Sequence, residues 1–268
     1  PGNYKLDEPI NLAGRIGDER HNICLFGAGP GTILKLDDNA GLQADYAAIY
    51  MGGTSRISGS CIRDLQISVT TPTGVWKSCA ISLNNTEYAR IQNVIISGSH
   101  GFGISVSGSK HAMIRDCQIK DVAYDGISQR VDAPFMHLSI KGCYFEGCLN
   151  GISLSFGSQA IITQCVIRTS GYNGIKLYNG QLTYLTLPRT IQRVIVTDCD
   201  IIESGQDSSS DYNGNGIILI AQDDSYPGDY VISKNRVKAN KKHGIWIYTE
   251  DGSNLFRYVV ADNAVFNN

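Results

Sequence analysis

Two short phrases alternate along this chain, and their recurrence limits the fold more than any other feature. The first has the form I-x-x-(C/N/L/V)-x-I. It reads "CIRDLQI", "RIQNVII", "MIRDCQI", "SIKGCYF", "IITQCVI", "IVTDCDI", "VISKNRV" and "VVADNAV". Its leading residues are Ile62, Ile91, Ile114, Ile140, Ile162, Val196, Ile232 and Val260, at steps of 29, 23, 26, 22, 34, 36 and 28. The second, G-I-x-(V/L/I), is anchored at Ile104, Ile127, Ile152, Ile175, Ile217 and Ile245, with a degenerate copy at Ile81 in "CAISL". The two interleave without exception from Ile62 to Val260. The short steps set the repeat, and the longer ones are the same repeat carrying a loop.

Each phrase alternates apolar and polar residues, which gives a strand with one buried face. No sustained i, i+3, i+4, i+7 pattern supports a helix, and glycine stands in every repeat. Strands recurring this closely leave no room for helical crossovers. They fit an all-β fold, a parallel β-solenoid of about eight or more coils stacked at about 4.8 Å per rung. The expected organisation is one domain over residues 1–268. Residues 1–58 form less regular coils, and residues 59–268 form regular coils with insertions at 177–193, 203–215, 221–229 and 249–254.

Composition narrows the function classes. A chain of 268 residues, 42% hydrophobic, can bury a large core. A net charge of −2 gives no support to nucleic-acid binding, so attraction for an anionic ligand must be local. No apolar run is long enough to cross a membrane as a helix, so no insertion is expected. The eight cysteines are too sparse for a disulfide scaffold and lack zinc-site spacing. Several fall in one column of the first phrase: Leu65, Val94, Cys117, Cys143, Cys165, Cys199, Asn235, Asn263. Small buried thiols filling a repeated slot explain that column, and thiols that stay reduced point towards a reducing compartment. Asp125, Asn150, Asn173 and Asn215 precede the repeated glycine, and are read as turn residues tolerating left-handed conformations.

At this point the sequence resembles the right-handed parallel β-helices of the pectate-lyase-like superfamily. "PGNYKLDEPINL" and "NICLFGAGPGTILKL" are similar to the opening of its polysaccharide-degrading and phage-tailspike members. "GAGPGT" lacks the Lys-Ser/Thr of a phosphate loop and runs into a strand. The resemblance covers nearly the whole chain. It implies a polysaccharide partner and an extracellular, secreted or virion-surface location, although "PGNYKLDEPI" is not a signal peptide. Such proteins usually carry a capping helix before P-G-x-Y. Its absence here, and the ending in "NAVFNN", lead to the expectation of a longer polypeptide or a capping partner. Lyases of this fold often bind calcium; no dense carboxylate cage stands in this sequence, so neither a metal nor a cofactor is expected.

In G-I-x-L the isoleucine points inward, so its neighbour points out. The outward stripe runs Ser82/Asn84, Ser105/Ser107, Ser128/Arg130, Ser153/Ser155, Lys176/Tyr178, Ile218/Ile220, Trp246/Tyr248. Its first half is short and polar; its second is cationic, then apolar and aromatic. A run of outward Ile, Ile, Trp and Tyr calls for a cover, and the four insertions supply walls beside it. Together they define a groove whose aromatic platforms suit sugar rings, with Trp246, Tyr248, Tyr172, His243 and Asp207 as candidate substrate contacts.

Two chemistries compete in that groove. β-Elimination on a uronic acid polymer needs a base for the carbon beside the carboxylate, and cations to neutralise the developing enolate. Lys176, Arg130 and Tyr178 are the candidates, Tyr178 as proton donor to the leaving oxygen. The Asp-Pro-His-Glu motif of the related epimerases is absent from "GISQRVD". Hydrolysis needs two carboxyl groups, about 5 to 5.5 Å apart for retention or about 6.5 to 9.5 Å for inversion. Asp211, Asp223 and Asp224 lead that set, with Asp207, Glu250 and Asp251 beside them. "QDD" followed by "KHG" is similar to polygalacturonase motifs but stands in the wrong register. The competing class is a receptor-binding or structural β-helix, such as a homotrimeric tailspike module, with the apolar stripe packing subunits.

Overall fold

The structure, a computed structural model, describes residues 1–6, 8–12, 21–36, 47–69, 79–99, 101–129, 133–179, 191–207, 212–221, 228–249 and 257–268. All regular structure among them is strand, and every strand pairs in parallel with a neighbouring coil. Three columns of strands make up the solenoid. Sheet A includes Met113–Arg115, Phe135–Lys141, Gly157–Thr163, Ile191–Thr197, Asp229–Ser233 and Arg257–Ala261. Sheet B includes Gln118–Lys120, Tyr144–Glu146, Val166–Arg168, Asp200–Ile202, Arg236–Lys238 and Ala264–Phe266. Sheet C includes Cys79–Glu87, Phe102–Ser105, Ile127–Ser128, Asn150–Leu154, Asn173–Asn179, Ile217–Ala221 and Ile245–Thr249. Sheets A and B are continuous through Cys61–Val69 and Arg90–Ser97, which run round the corner unbroken.

The register follows the repeat. Ile62, Ile91, Ile114, Ile140, Ile162, Val196, Ile232 and Val260 stack rung on rung. So do Ile81, Ile104, Ile127, Ile152, Ile175, Ile217 and Ile245. The first coils join the same stack: Gly2–Leu6 pairs with Thr32–Leu36, and Ile10 with Ile49. Nearly all the inward residues are fully buried, each contributing roughly 1.5 to 3 kcal/mol. The coils are therefore held from within, and the outer faces are left free to carry chemistry.

The first phrase is not one strand. From Met113 onward it is two short strands joined by one left-handed residue, as at Asp116 (φ 54°) between Met113–Arg115 and Gln118–Lys120. Asp64, Asn93, Gly142, Gln164, Asp198, Lys234 and Asp262 repeat that bend. The spacing already required it. Inward residues at Ile114, Cys117 and Ile119 are three and then two apart, and a flat strand permits only steps of two. The cysteine column lies directly after the bend and is buried. Its thiols donate to backbone carbonyls, Cys117 to Arg115 at 3.2 Å and Cys165 to Thr163 at 3.4 Å. Burial pushes the neighbouring Cys148 thiol up to about 12. One cysteine pair departs from that pattern. Cys24 and Cys61 occupy adjacent rungs on the outer face of sheet A, with Cα atoms 4.5 Å apart, and form a disulfide.

The residues before the repeated glycine are not left-handed, and the glycines are not there for a turn. A Cβ on Gly174 would lie 2.4 Å from Ile201 Cγ2; on Gly216, 2.3 Å from Val237 Cγ1. Inward side chains of sheet B fill the space where sheet C begins, so only glycine fits. Asp125, Asn150, Asn173 and Asn215 then point to the outer side and form a buried ladder.

Candidate functional site

The outer face of sheet C is the candidate site. Ser105, Ser128, Ser153, Lys176, Ile218 and Trp246 stack along it in consecutive register. The face is roofed. Ser105 and Ser128 are buried, and Ile218 and Ile220 are wholly so, although neither packs into the central core. Ile218 and Ile220 are therefore covered within this chain, whereas Trp246 and Tyr248 are half-buried.

Lys176 stands where the polar half meets the apolar half. It is half-buried, with Ser153 below it and Ile218 above. Its Nζ sits 5.7 Å from the ring centroid of Tyr178, also half-buried on the same strand. Burial lowers the Lys176 proton affinity, and the charge of Asp125 opposes that shift. Asp125 is itself buried. Its carboxylate accepts from Ser128 Oγ at 2.9 Å and from Asn150 Nδ2 at 2.7 Å. Burial raises its pKa; Asn150, Ser128, Lys176 and Ser153 pull it back.

The aromatic candidates gather one step further on. Trp246 and Tyr248 lie 5.4 Å apart between ring centroids, and His243 lies 5.2 Å from Trp246. Tyr212 completes the cluster, stacked 6.0 Å from Trp246 and edge-on 5.2 Å from Tyr248. Sequence analysis passes over Tyr212 because it lies in a loop with no repeat to flag it. Tyr172 immediately precedes the Asn173 rung and is half-buried; its carbonyl accepts from Gly214 N at 2.9 Å. Asp207 is exposed near Gly171, bonding through its backbone N to Gly171 O at 2.8 Å. That places it at the corner where coils enter sheet C. Arg130, Asp211, Asp223 and Asp224 lie outside the described residues, as do Glu250 and Asp251. The ends of the 177–193 insertion are clamped by polar bonds: Ile191 N donates to Asn179 Oδ1 at 2.5 Å, Asn179 Nδ2 to Tyr230 Oη at 2.6 Å, and Tyr230 Oη to Ile191 O at 2.5 Å.

Two concavities lie elsewhere. One of about 910 Å³ opens at the last coil between His243, Tyr258, Val265 and Asn268. The other, about 440 Å³, lies on the outer face of sheet A between His137, Gln159, Ile161 and Arg193. Beside it, Tyr88, His111 and His137 stack at 4.9 and 4.4 Å, and Met113, Met136, Ile161 and Ile195 are exposed. Among the described residues no three His, Cys, Asp or Glu side chains converge as metal ligands.

Comparison with known proteins gives one family match. Residues 79–265 match the family described as right handed beta helix region. No curated protein matches the chain by sequence. Among solved structures, the alginate lyase from Paenibacillus sp. str. FPU-7 superposes with a TM-score of 0.62 at 11% identity, over 92% of this chain and 95% of that one. The tailspike protein of E. coli bacteriophage HK620, solved with a pentasaccharide, gives 0.60 at 13%, over 91% of this chain and 41% of that one. PfbA, a surface adhesin of Streptococcus pneumoniae, gives 0.55 at 12%, over 99% and 82%. At these identities the likeness is one of fold.

Proposed function

This chain belongs to the right-handed β-helix family, and on that premise we propose that it acts on an extended acidic polysaccharide held along the outer face of sheet C, cleaving it by β-elimination. The observation that carries this reading is Lys176, half-buried beside Tyr178 where a polar floor meets an aromatic cluster. A lysine there serves no core and is desolvated, which favours the neutral amine that a base requires.

In this mechanism the Lys176 amine takes the proton from the carbon next to the uronate carboxylate. The electron pair left on that carbon becomes a carbon–carbon double bond as the bond to the leaving oxygen breaks. Tyr178 gives its phenolic proton to that oxygen. The products are an unsaturated uronate and a new reducing end, so atoms and electrons balance. Arg130, two residues beyond Ser128 in sequence, is assigned to the substrate carboxylate. Trp246, Tyr248 and Tyr212 offer stacking faces to neighbouring sugars, with His243, Tyr172 and Asp207 at the margins. Polysaccharide-active and glycan-bound proteins among the structural neighbours support a glycan partner and an extracellular or virion-surface setting.

The test is a pair of variants assayed for unsaturated uronate. Lys176→Ala is expected to abolish it. Tyr178→Phe is expected to slow it by about 10²-fold. Full activity in both would remove the chemistry from this strand and send it to Asp211, Asp223 and Asp224 as hydrolytic carboxylates.

A second reading has its own observation. Met113, Met136, Ile161 and Ile195 expose an apolar surface on sheet A, which suits subunit packing in a non-catalytic or tailspike-like homotrimer. Ile218 and Ile220 of sheet C are already covered and are not available for it.

A further inference from the structure

We propose that the hollow on the outer face of sheet A is a second glycan site, one that binds a uronate residue of an acidic polysaccharide without cleaving it. The inference goes beyond the groove of sheet C and does not rest on Lys176.

The hollow is built from two columns. Ser139, Ile161 and Ile195 stack in register on three consecutive rungs and form its floor. His137, Gln159 and Arg193, each two residues earlier on the same strands, form its rim. Three rungs at about 4.8 Å each span about 10 Å. The volume of about 440 Å³ lies within the range of about 300 to 1,000 Å³ found for small-ligand sites.

The floor is apolar without serving the core. Ile161 is 45% exposed and Ile195 37%. Two residues further along the same strands, the outward positions are Thr163 and Thr197. Threonine satisfies strand preference as isoleucine does, so that preference does not account for isoleucine here. An apolar surface edged by polar side chains suits a sugar ring, which has apolar faces and hydroxyl edges.

The rim carries long side chains at a corner that favours short ones. His137, Gln159 and Arg193 are left-handed (φ 54°, 60° and 54°), as are Tyr88 and His111 on the rungs below (φ 54° and 51°). At the other corner of sheet A the left-handed column reads Asp64, Asn93, Asp116, Gly142, Gln164, Asp198. Most of those residue types tolerate the conformation. A tyrosine or an arginine bears it less well, and five such positions in a row point to a use for their side chains. His111 stacks on His137 at 4.4 Å, and Tyr88 on His111 at 4.9 Å, which fixes the His137 ring at the edge of the hollow.

The charge at the hollow is positive. Arg193 is exposed. The carboxylate beside it on the next rung, Asp229, is paired with Arg257 at 2.7 Å. Among the described residues no Asp or Glu lines the hollow. Lys141, two residues beyond Ser139, and Arg90, two rungs below Ser139 in the floor column, are exposed on the same face. A guanidinium at the rim of an apolar floor matches a sugar ring that carries a carboxylate.

The test reads the site through the methionines. Met51 is buried, whereas Met113, which pairs with Ser139, and Met136, which precedes His137, are exposed. The full chain is labelled with methyl-¹³C methionine, and the signals are assigned by Met113→Leu and Met136→Leu. It is titrated with hexasaccharides of galacturonate, mannuronate and guluronate in the Lys176→Ala background, which prevents turnover. At least one of them is expected to shift the Met113 and Met136 signals and leave Met51 in place. Its methyl ester keeps the rings and removes the charge, and should bind about tenfold more weakly; Arg193→Gln should weaken the acid by the same factor. Ile161→Ser should weaken it about fivefold. The methyl ester needs no substitution in the rim, so the proposal stays testable should a variant fail to fold. No shift with any of the three, or a shift untouched by both esterification and Arg193→Gln, would overturn the proposal. Met113 and Met136 signals that move with protein concentration in the absence of glycan would overturn it too, and make this face an interface between copies of the chain. Binding here by an unmodified chain that cleaves none of the three would contradict the proposed function and leave the second site standing.

Discussion

The cysteine column and the Asp/Asn column are both slots repeated once per rung, yet they do different work. The first lies inside the coil, after the bend between sheets A and B. Its members change from Leu65 and Val94 through four cysteines to Asn235 and Asn263 without altering the register. Any small side chain that packs or bonds its neighbour is accepted there. The second stands at the entrance to sheet C, and its three asparagines end on one buried carboxylate that also accepts from Ser128. Repetition fixes the scaffold in both. Chemistry is concentrated where the repeat is broken by a charge.

The comparison can be broken or sharpened by substitution. The largest effect belongs to Lys176→Ala, expected to abolish turnover in the unsaturated-product assay with little change in thermal unfolding. Next comes Gly174→Ala, whose new methyl meets Ile201 and the Gly216 carbonyl. It should cost about 3 kcal/mol in urea unfolding. Asn173→Ala removes the acceptor of two Asn215 donors and should cost about 2 kcal/mol. Cys165→Ala, the matched change in the other column, should cost about 1 kcal/mol and leave glycan cleavage unchanged. Equal losses at Asn173 and Cys165 would erase the distinction between the columns.

The smallest effect is a pH dependence. The folded-state pKa of Asp125 is raised by burial, so its contribution to stability is fully present below the ordinary value of 3.8 and is lost as pH rises through the raised value. Lys176 is lowered, so its contribution is present above 10.5 and is lost as pH falls through the lowered value. Between the raised value of Asp125 and the lowered value of Lys176 both contributions are lost. Melting temperature measured from acid to neutral pH should fall less steeply in Asp125→Asn than in the unmodified chain.

Much of this was legible in the sequence, for physical reasons. Inward isoleucines must stack at every rung, so their spacing announces coil, register and outer stripe together. The three-residue step from Ile114 to Cys117 also announces a corner, but reading it as a strand hides the bend. Asp125 is harder. In sequence it is one more Asn/Asp before glycine, and only the fold shows its carboxylate buried at the end of the ladder, bonded to Ser128 and Asn150. Cys24 and Cys61 stand 37 residues apart, and no pattern pairs them until the first irregular coil is laid on the second. Tyr212 carries no repeat signal, because loops are not constrained by stacking.

The most direct measurement is a polysaccharide panel read at once by ultraviolet absorbance of unsaturated uronates and by reducing ends. The account predicts that both signals rise together on an acidic glycan and that both vanish in Lys176→Ala. Reducing ends without absorbance, or silence across acidic glycans, would contradict elimination in the sheet C groove.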